Sequence, residues 1–383
     1  MKTILKDFIK SARTLYGNKF IPLHRPSFKG NEKKYLVECI DTNYVSSVGK
    51  RVIEFEKKIA KFTGSKYAVA TVNGTNALYI AIKLSKVKPG DEVISQALTF
   101  VATCNAITYA GANPIFVDVD KDTMGLSPTA LKKFLKKNAK KHKSGAYNKK
   151  TGKKIAACVP MHTFGFPCRI REICDICAEW GIMVIEDAAE SLGSYVGKKH
   201  TGTFSLMSSF SFNGNKIITT GGGGMLITDN LELARRAKHI TTTAKVTHPY
   251  EYIHDEIGYN YRMPNLNAAL GCAQMESLNE FLLIKKKIAN HWQQFFKKRS
   301  VNYIRPLKNY EANYWLNTIV LKTKKEREIF LKYTNKNQVM TRPIWRLMSE
   351  LDMFKDCQND GLKNSLWLQD RVVNIPSSVL DEA

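Results

Sequence analysis

The feature that most restricts the fold of this chain is an alternation of short apolar runs with helical segments, which begins near Lys66. Continuous runs rich in β-branched residues are typical of strands buried on both faces of a sheet. Their alternation with helices predicts an α/β domain with a mostly parallel sheet. The predicted strands are YAVATV (67–72), EVISQA (92–97), PIFVDV (114–119), IAACVPM (155–161), IMVIEDA (182–188), MSSFSF (207–212) and GMLIT (224–228).

The C-terminal part of the chain has a different pattern. A helix is expected around residues 266–283, and the segment after it, LLIKKKIANHWQQFFKKR, reads as a long linking helix. A strand-like run (314–321) and a helical run (325–337) then predict a smaller α+β unit. We therefore expect an N-terminal helical extension at residues 1–21, a large domain at residues 22–275 and a small C-terminal domain at residues 276–383.

The formal net charge of +25 is unusual, and much of the excess lies in residues 132–154, which contain no acidic residue. Such a run is usually a solvated loop, which is the prediction here. Nucleic-acid binding is the alternative, but few aromatic residues accompany the lysines to stack on bases. A positive field would also attract anionic nucleotide-linked substrates, and the charge alone does not distinguish these partners.

Hydrophobicity along the chain predicts a cytoplasmic protein with no membrane partner, and the lysine run without stacking aromatic residues predicts no nucleic-acid partner. No stretch approaches the roughly 18 apolar residues that a membrane helix requires. The basic amphipathic segment at residues 1–17 lacks the continuous apolar block of a secretory signal. The eight cysteines of the whole chain are scattered through apolar stretches, which indicates reduced thiols. Cys174 and Cys177 form a C-x-x-C pair on a helical pattern, and without a second ligand pair no metal site is predicted.

Two predicted strands end in residues suited to ligand binding. The first passes through Asn73, Gly74 and Thr75 into a helix, whose N-terminus favours a bound phosphate, although these residues also suit simple helix capping. Asp187 ends another strand, at the edge where open α/β sheets bind ligands. An ionised carboxylate there needs a cationic or donor partner such as a protonated pyridine nitrogen. The alternative interpretation of Asp187 is a helix N-cap.

Lys216 is a lone lysine among apolar and small residues in SFSFNGNKIITTGGGGMLIT (209–228). The four successive glycines indicate close backbone approach or a strained turn beside a site. Desolvation lowers the pKa of a lysine, as Schiff-base lysines require, and this setting makes an ordinary surface lysine the weaker interpretation.

A polar and aromatic loop, GYNYRMPNLNAALGCAQ (258–274), leads into the next helix. Asn260 and Arg262 alternate with Tyr259 and Tyr261, so the two polar side chains point the same way if the loop is extended. A surface loop followed by a helix capped near Asn265 is the alternative.

Together these segments resemble the DegT/DnrJ/EryC1/StrS family of type I pyridoxal 5'-phosphate (PLP) sugar aminotransferases over residues 22–376. The motifs occur in the family's order, and they include PGDEVISQALTFVATCNAI, HTFGFP, EDAAESLGS, SFSFNGNKIITTGGGGM and GYNYRMPNLNAA. The amino-acid sequence around FNGNK and TTTAKVTHPYEYIHDEIGYNYR is most similar to that of the branch that makes 4-amino-4,6-dideoxy-N-acetylglucosamine nucleotides, precursors of legionaminic acid and bacillosamine. The resemblance implies an aspartate aminotransferase-like fold, with a large domain on a mostly parallel mixed sheet and a smaller C-terminal α+β domain.

The resemblance also implies roles for matching residues. Lys216 matches the lysine that forms the Schiff base with PLP, and Asp187 matches the acid that pairs with the pyridinium nitrogen. The remaining matches are Gly74, Thr75, Asn76 and Ser211 for the cofactor phosphate, Phe100 for stacking on the ring, and Asn260 and Arg262 for the phosphate of the other subunit in a homodimer.

One match departs from the family pattern, and one segment is additional to it. Glu190 occupies a position often filled by His or Gln, near the phenolic oxygen of the cofactor. An ionised carboxylate there would repel a phenolate unless it is protonated or bridged. The N-terminal segment precedes the usual start of the family near Pro22 and has no assigned role.

The predicted reaction moves an amino group from L-glutamate to C4 of a UDP- or GDP-linked 2-acetamido-2,6-dideoxy-4-keto-hexose. An aminotransferase acting on a 3-keto sugar nucleotide or a related cyclic ketone is an alternative. Sugar 3-dehydratases on this scaffold carry a histidine where this chain has Lys216. A more distant alternative is a non-enzymatic regulatory or nucleic-acid-binding protein, which would leave the ordered cofactor motifs unexplained.

Overall fold

The computed structural model describes residues 2–380, and its largest element is a nine-stranded sheet. The first eleven strands of the chain are β1 (Tyr67–Thr71), β2 (Glu92–Gln96), β3 (Asn113–Val117), β4 (Ala139–His142), β5 (Gly145–Asn148), β6 (Lys154–Val159), β7 (Met183–Asp187), β8 (Tyr195–Val196), β9 (Lys199–His200), β10 (Met207–Ser211) and β11 (Gly224–Thr228).

The strand order across the main sheet is β1-β11-β10-β7-β6-β2-β3, and β5 joins the β4–β5 hairpin to the start of β6. The strands β10, β7, β6, β2 and β3 run parallel, whereas β11 is antiparallel to both of its neighbours. All seven strands predicted from the apolar runs are present in this sheet. The α/β prediction is therefore confirmed.

Helices cover both faces of the sheet. The helices within residues 2–380, including those of the C-terminal unit, are α1 (Lys2–Tyr16), α2 (Glu32–Asp41), α3 (Lys50–Thr63), α4 (Gly74–Leu84), α5 (Val101–Tyr109), α6 (Pro128–Asn138), α7 (Ile170–Glu179), α8 (Leu231–Thr241), α9 (Asn265–Lys297), α10 (Lys324–Lys336) and α11 (Lys363–Gln369). Within residues 2–380, none of them combines the length and the apolar character that a bilayer-spanning helix needs.

Strand β11 shows how the buried strands serve two cores at once. Leu226 packs among residues of α4 on one face, whereas Met225 and Ile227 pack with Phe55 of α3 and Cys272 of α9 on the other. Alternate side chains of a strand point to opposite faces, so an apolar run without polar alternation is expected when both faces are covered. This burial on both faces holds the strand ends in place beneath the site.

The C-terminal unit is built around a second, antiparallel sheet. The remaining strands are β12 (Lys245–Val246), β13 (Ile253–His254), β14 (Asn302–Tyr303), β15 (Tyr310–Glu311), β16 (Asn317–Val320), β17 (Arg342–Pro343) and β18 (Val372–Ile375). Four of them form a sheet in the order β14-β16-β18-β17, and β15 pairs with β8 in a small separate sheet. The predicted strand at residues 314–321 and helix at residues 325–337 correspond to β16 and α10.

A single continuous helix replaces the two helices predicted between the large and small units. Helix α9 runs for 33 residues, so the expected boundary at residues 275 and 276 falls inside it. Its first half packs on α3 and α2, and Trp292 and Phe296 in its second half belong to the C-terminal core. The division of the chain into three segments stays a prediction.

The N-terminal helix α1 packs on the C-terminal unit. Phe8 is fully buried, and its ring centroid lies 5.1 Å from that of Trp292 and 5.0 Å from that of Phe330. The apolar face of α1 therefore covers the core between α9 and α10. Met1 and residues 381–383 lie outside the described part of the chain.

The lysine-rich segment at residues 132–154 is not the loop that its composition predicted. It continues α6 to Asn138 and then forms the β4–β5 hairpin. Ala139, Ala146 and Asn148 are buried, while most of the lysines remain exposed. Alternate residues of β5 are buried, and β4 pairs with it while its two lysines stay exposed, so this charged segment forms a hairpin.

Candidate active site

A cavity of about 220 Å³ opens where the carboxyl ends of β7 and β10 meet the N-terminus of α4. This edge of a parallel sheet is where α/β proteins generally bind ligands. Seven of the ten residues predicted for the site line the cavity together: Gly74, Thr75, Phe100, Asp187, Glu190, Ser211 and Lys216.

The N-terminus of α4 supplies a place for an anion. Asn73 caps the helix, because its side-chain oxygen accepts a hydrogen bond from the backbone N–H of Asn76 at 2.8 Å. The first N–H groups of a helix have no intrahelical acceptor, so those of Gly74 and Thr75 remain as donors. Both residues line the cavity, and Ser211 at the end of β10 lies against them. This arrangement suits a phosphate group.

Asp187 is a buried carboxyl group at the end of β7. Its Oδ2 accepts a hydrogen bond from the Thr103 hydroxyl at 2.7 Å, and its Oδ1 accepts one from the backbone N–H of Ala189 at 3.2 Å. Burial is the largest influence on this group and raises its pKa, while Thr103 and Ala189 oppose that shift. The predicted alternative, a plain N-cap, does not account for its place in the cavity wall. A cationic N–H group would offset the cost of burying this charge.

The side chain of Lys216 reaches the cavity from the turn after β10. Its Nζ lies 3.2 Å from Oε1 of Glu190, whose Oε2 accepts a hydrogen bond from the backbone N–H of Phe164 at 2.8 Å. Burial raises the pKa of Glu190 to about 7, although the nearby Lys216 ammonium group and the Phe164 hydrogen bond lower it. Burial therefore favours the protonated form of Glu190 more than it would be favoured for an exposed glutamate.

Two tryptophans of the C-terminal unit complete the site, and the motifs did not identify them. The ring of Trp315 faces Lys216, with Nζ 4.0 Å from the ring centroid, and the ring of Trp345 packs on Phe164 at 4.7 Å. Both line the cavity together with Phe100, which is 47% exposed and lies 6.0 Å from Trp345. No local signal marks them, since Trp315 lies in a run predicted as a strand and Trp345 lies in no motif.

Three of the residues predicted for the site do not line the cavity. Asn76 is not part of the cavity wall, and its backbone N–H is taken by Asn73. Arg262 is buried in an ion pair with Glu56 and also donates to the carbonyl of Ala70. Asn260 is exposed outside this cavity, so the two polar side chains of the loop do not share one environment. The stacked rings of Tyr259 and Tyr261 pack against the core of the large sheet instead.

A model of the DegT/DnrJ/EryC1/StrS aminotransferase family matches residues 26–380. This chain belongs to that family. It is 36% identical over 365 residues to a GDP-perosamine synthase of Escherichia coli O157:H7, covering 94% of this chain and 93% of that protein. A GDP-perosamine synthase of Vibrio cholerae is 33% identical over 360 residues, covering 93% and 94% of the two chains.

The fold comparison agrees with the family assignment. The aminotransferase PseC of Helicobacter pylori, involved in the biosynthesis of pseudoaminic acid, superposes with a TM-score of 0.84. The match covers 94% of both chains at 21% identity and therefore supports the fold. Like other members of the DegT/DnrJ/EryC1/StrS family, this chain is a PLP-dependent sugar aminotransferase, and the expected fold is confirmed.

The residues present fit PLP. A buried carboxyl group at Asp187 suits the ring nitrogen, the α4 N-terminus with Ser211 suits the phosphate, and Lys216 is the one lysine in the cavity wall within residues 2–380. A β-carbon added to Gly74 would lie 2.7 Å from Cβ of Ser211, so the backbone approach at the phosphate turn requires glycine. These individual roles remain proposals that rest on this geometry.

Gly74→Ala is expected to weaken PLP binding by at least about tenfold and to lower the free energy of unfolding by about 1–3 kcal/mol, because the added methyl group displaces Ser211. Equilibrium dialysis of PLP and urea unfolding measure the two effects. The control is Gly214→Ala in the neighbouring turn, where an added β-carbon meets nothing within 4 Å, and its change should stay within about 0.5 kcal/mol. Equal PLP affinities in the two variants would contradict the assignment of the phosphate turn.

Proposed function

We propose that this aminotransferase moves the amino group of L-glutamate to C4 of a nucleotide-linked 4-keto-6-deoxy sugar. The observation that carries the proposal is the meeting of Lys216, Asp187 and the α4 N-terminus in one cavity. Support for the C4 position comes from similarity to GDP-perosamine synthases, whose named product is a 4-amino sugar.

Bound PLP supplies an aldehyde and a ring that withdraws electrons from the substrate carbon. The chain's own residues have three tasks. Asp187 holds the ring nitrogen in its cationic form, and the N–H groups of Gly74 and Thr75 hold the phosphate. The amine of Lys216 removes and returns the proton at the carbon that bears the transferred nitrogen, as a positioned base and acid.

The protonation of Glu190 answers the difficulty that this carboxyl group raised in the sequence. With its pKa raised to about 7 by burial, Glu190 carries a proton in part of the molecules near neutral pH. In that form it can donate a hydrogen bond to a phenolate oxygen rather than repel it. Its contacts with the backbone N–H of Phe164 and with Nζ of Lys216 hold the carboxyl group beside the reacting amine.

We further propose a homodimer in which Asn260 serves the neighbouring subunit. Asn260 is exposed outside the cavity of its own chain, and the loop before it exposes Tyr250, Tyr252 and Ile257 by 81%, 82% and 85%. Apolar groups this exposed are typical of an interface. Arg262 is already paired with Glu56, so the proposal is stronger for Asn260. Sedimentation velocity that shows only monomers of the PLP-loaded protein would exclude the shared site.

The sugar substrate is tested by a panel of acceptors. Protein loaded with PLP is incubated with L-glutamate and with UDP- and GDP-linked 4-keto-6-deoxy sugars, each with a hydroxyl or an acetamido group at C2. Mass spectrometry reports replacement of the keto oxygen by an amino group, and NMR reports its configuration. Amination of the acetamido sugars would support the branch predicted from the motifs, and preference for the GDP-linked hydroxyl sugar would favour a perosamine-type acceptor.

A 3-keto sugar nucleotide in the same panel tests the alternative. If glutamate converts the bound cofactor but only the 3-keto sugar is aminated, the C4 assignment is wrong and the aminotransferase activity stands. If glutamate converts no cofactor, the donor assignment is wrong. The two failures are therefore separable.

A further inference from the structure

The two tryptophans of the cavity use their indole N–H groups differently. Nε1 of Trp315 donates to the backbone carbonyl of Asn215 at 2.6 Å, so this residue presents only its ring. Within residues 2–380, no carbonyl or side chain accepts a hydrogen bond from Nε1 of Trp345. Trp345 is half-buried and lines the cavity, and its N–H group is not sealed from solvent. It is a donor that remains available to a ligand.

The position of Trp345 is fixed by its surroundings. Its ring packs on those of Phe164 and Phe100, at centroid distances of 4.7 and 6.0 Å. The backbone on its C-terminal side is held as well, since the N–H of Leu347 donates to the side chain of Gln369 at 2.6 Å and that of Met348 to the carbonyl of Ala97 at 2.9 Å. Little conformational freedom remains to be lost when a ligand contacts the indole.

The proposed reaction brings two unlike molecules into this cavity in turn. L-Glutamate is a small acyclic anion, and an indole offers it no positive charge. A deoxyhexose has an apolar face of C–H groups bordered by oxygen atoms. A tryptophan combines a large apolar ring with one polar donor, and so it matches the second molecule in both respects.

We propose that Trp345 determines specificity for the sugar acceptor, through ring contact with the hexose and a hydrogen bond from Nε1 to one of its oxygen atoms, and that it does not contribute to the glutamate half-reaction. This inference rests on the proposed function, because it assigns a residue to the acceptor half of that reaction. It predicts that the two halves respond differently to one substitution.

The test is Trp345→Phe, which keeps an aromatic ring but removes the donor and part of the apolar surface. The two halves are measured separately, the glutamate half by the absorbance change of the bound cofactor and the acceptor half by mass spectrometry of the sugar product. We expect KM for the keto sugar to rise about 5- to 15-fold, as for the loss of one hydrogen bond and some ring contact. The rate of the glutamate half should stay within about twofold. Trp345→Tyr, which restores a donor, should recover part of the loss.

The matched control is Trp180→Phe at the end of α7, where the ring contacts Lys141 rather than the cavity. It should leave both halves unchanged. An unchanged KM for the sugar in Trp345→Phe would overturn the inference, and so would an equal loss in both halves, which indicates a structural role only. Wild-type protein that reacts with glutamate but aminates no sugar of the panel would instead overturn the proposed acceptor, and the inference with it.

Discussion

Lys216→Ala is expected to abolish multiple turnover, with kcat lower by about 10⁴-fold or more, while the protein remains folded. The substitution removes both the covalent attachment for PLP and the positioned proton carrier, and the second loss alone costs about 10²- to 10⁴-fold. Folding should survive because Glu190, the charged partner left behind, has a pKa raised to about 7 by burial and can take up a proton. Steady-state assays with glutamate and a keto sugar measure the rate, and circular dichroism measures the fold.

A covalent readout accompanies the kinetic one. Borohydride treatment of wild-type protein saturated with PLP should leave a reduced adduct on the peptide containing Lys216, and Lys216→Ala should leave none. Lys325→Ala, at an exposed lysine of α10, is the matched control and should behave as wild type. Normal multiple turnover in Lys216→Ala, or a wild-type adduct located on another lysine, would show that the active-site assignment is wrong.

Asp187→Asn is expected to lower kcat by about 10²- to 10⁴-fold without lowering the melting temperature. Removing one partner of a buried charge pair costs about 3–5 kcal/mol, and each 1.4 kcal/mol corresponds to tenfold in rate. Asparagine has nearly the same shape, and its oxygen can still accept hydrogen bonds from Thr103 or Ala189. Burial raises the pKa of Asp187, so loss of its charge removes a desolvation cost and gives no reason for instability.

Single-turnover absorbance of the bound cofactor with glutamate checks this prediction, because it reports the step in which charge develops on the ring. The control is Asp352→Asn, at a carboxyl group whose side chain is 99% exposed. A decrease of less than tenfold in Asp187→Asn would mean that this carboxylate does not hold the ring nitrogen in its cationic form. A large fall in melting temperature would instead indicate a structural role.

Much of the large domain followed from local patterns. The seven apolar runs became strands because uninterrupted β-branched sequence suits a strand covered on both faces, as at Leu226 and its neighbours. The ends of those strands then placed Asp187, Ser211 and Lys216 at one edge of the sheet. Parallel strands with helical connections bring their carboxyl ends together, so residues far apart in sequence could be assigned to one site.

Local patterns were misleading where charge or continuity concealed the structure. The lysine-rich segment was expected to be a solvated loop, yet Ala139 and Ala146 are buried and the segment pairs as a hairpin. Helix α9 was expected as two helices, yet it continues through residue 275 without a break. In both cases contacts with distant parts of the chain decided which secondary structure forms. Such contacts cannot be inferred from local composition.

The sequence by itself predicted the α/β class and the order of the strands along the chain, since periodicity and turn chemistry are local properties. Through the order of the family motifs it also predicted a site at Lys216, Asp187 and the α4 turn. Only the tertiary structure decided that Trp315 and Trp345 complete the cavity and that Arg262 pairs with Glu56. Those contacts join residues about a hundred or more positions apart, and their partners are selected by how the layers pack rather than by any spacing in the chain.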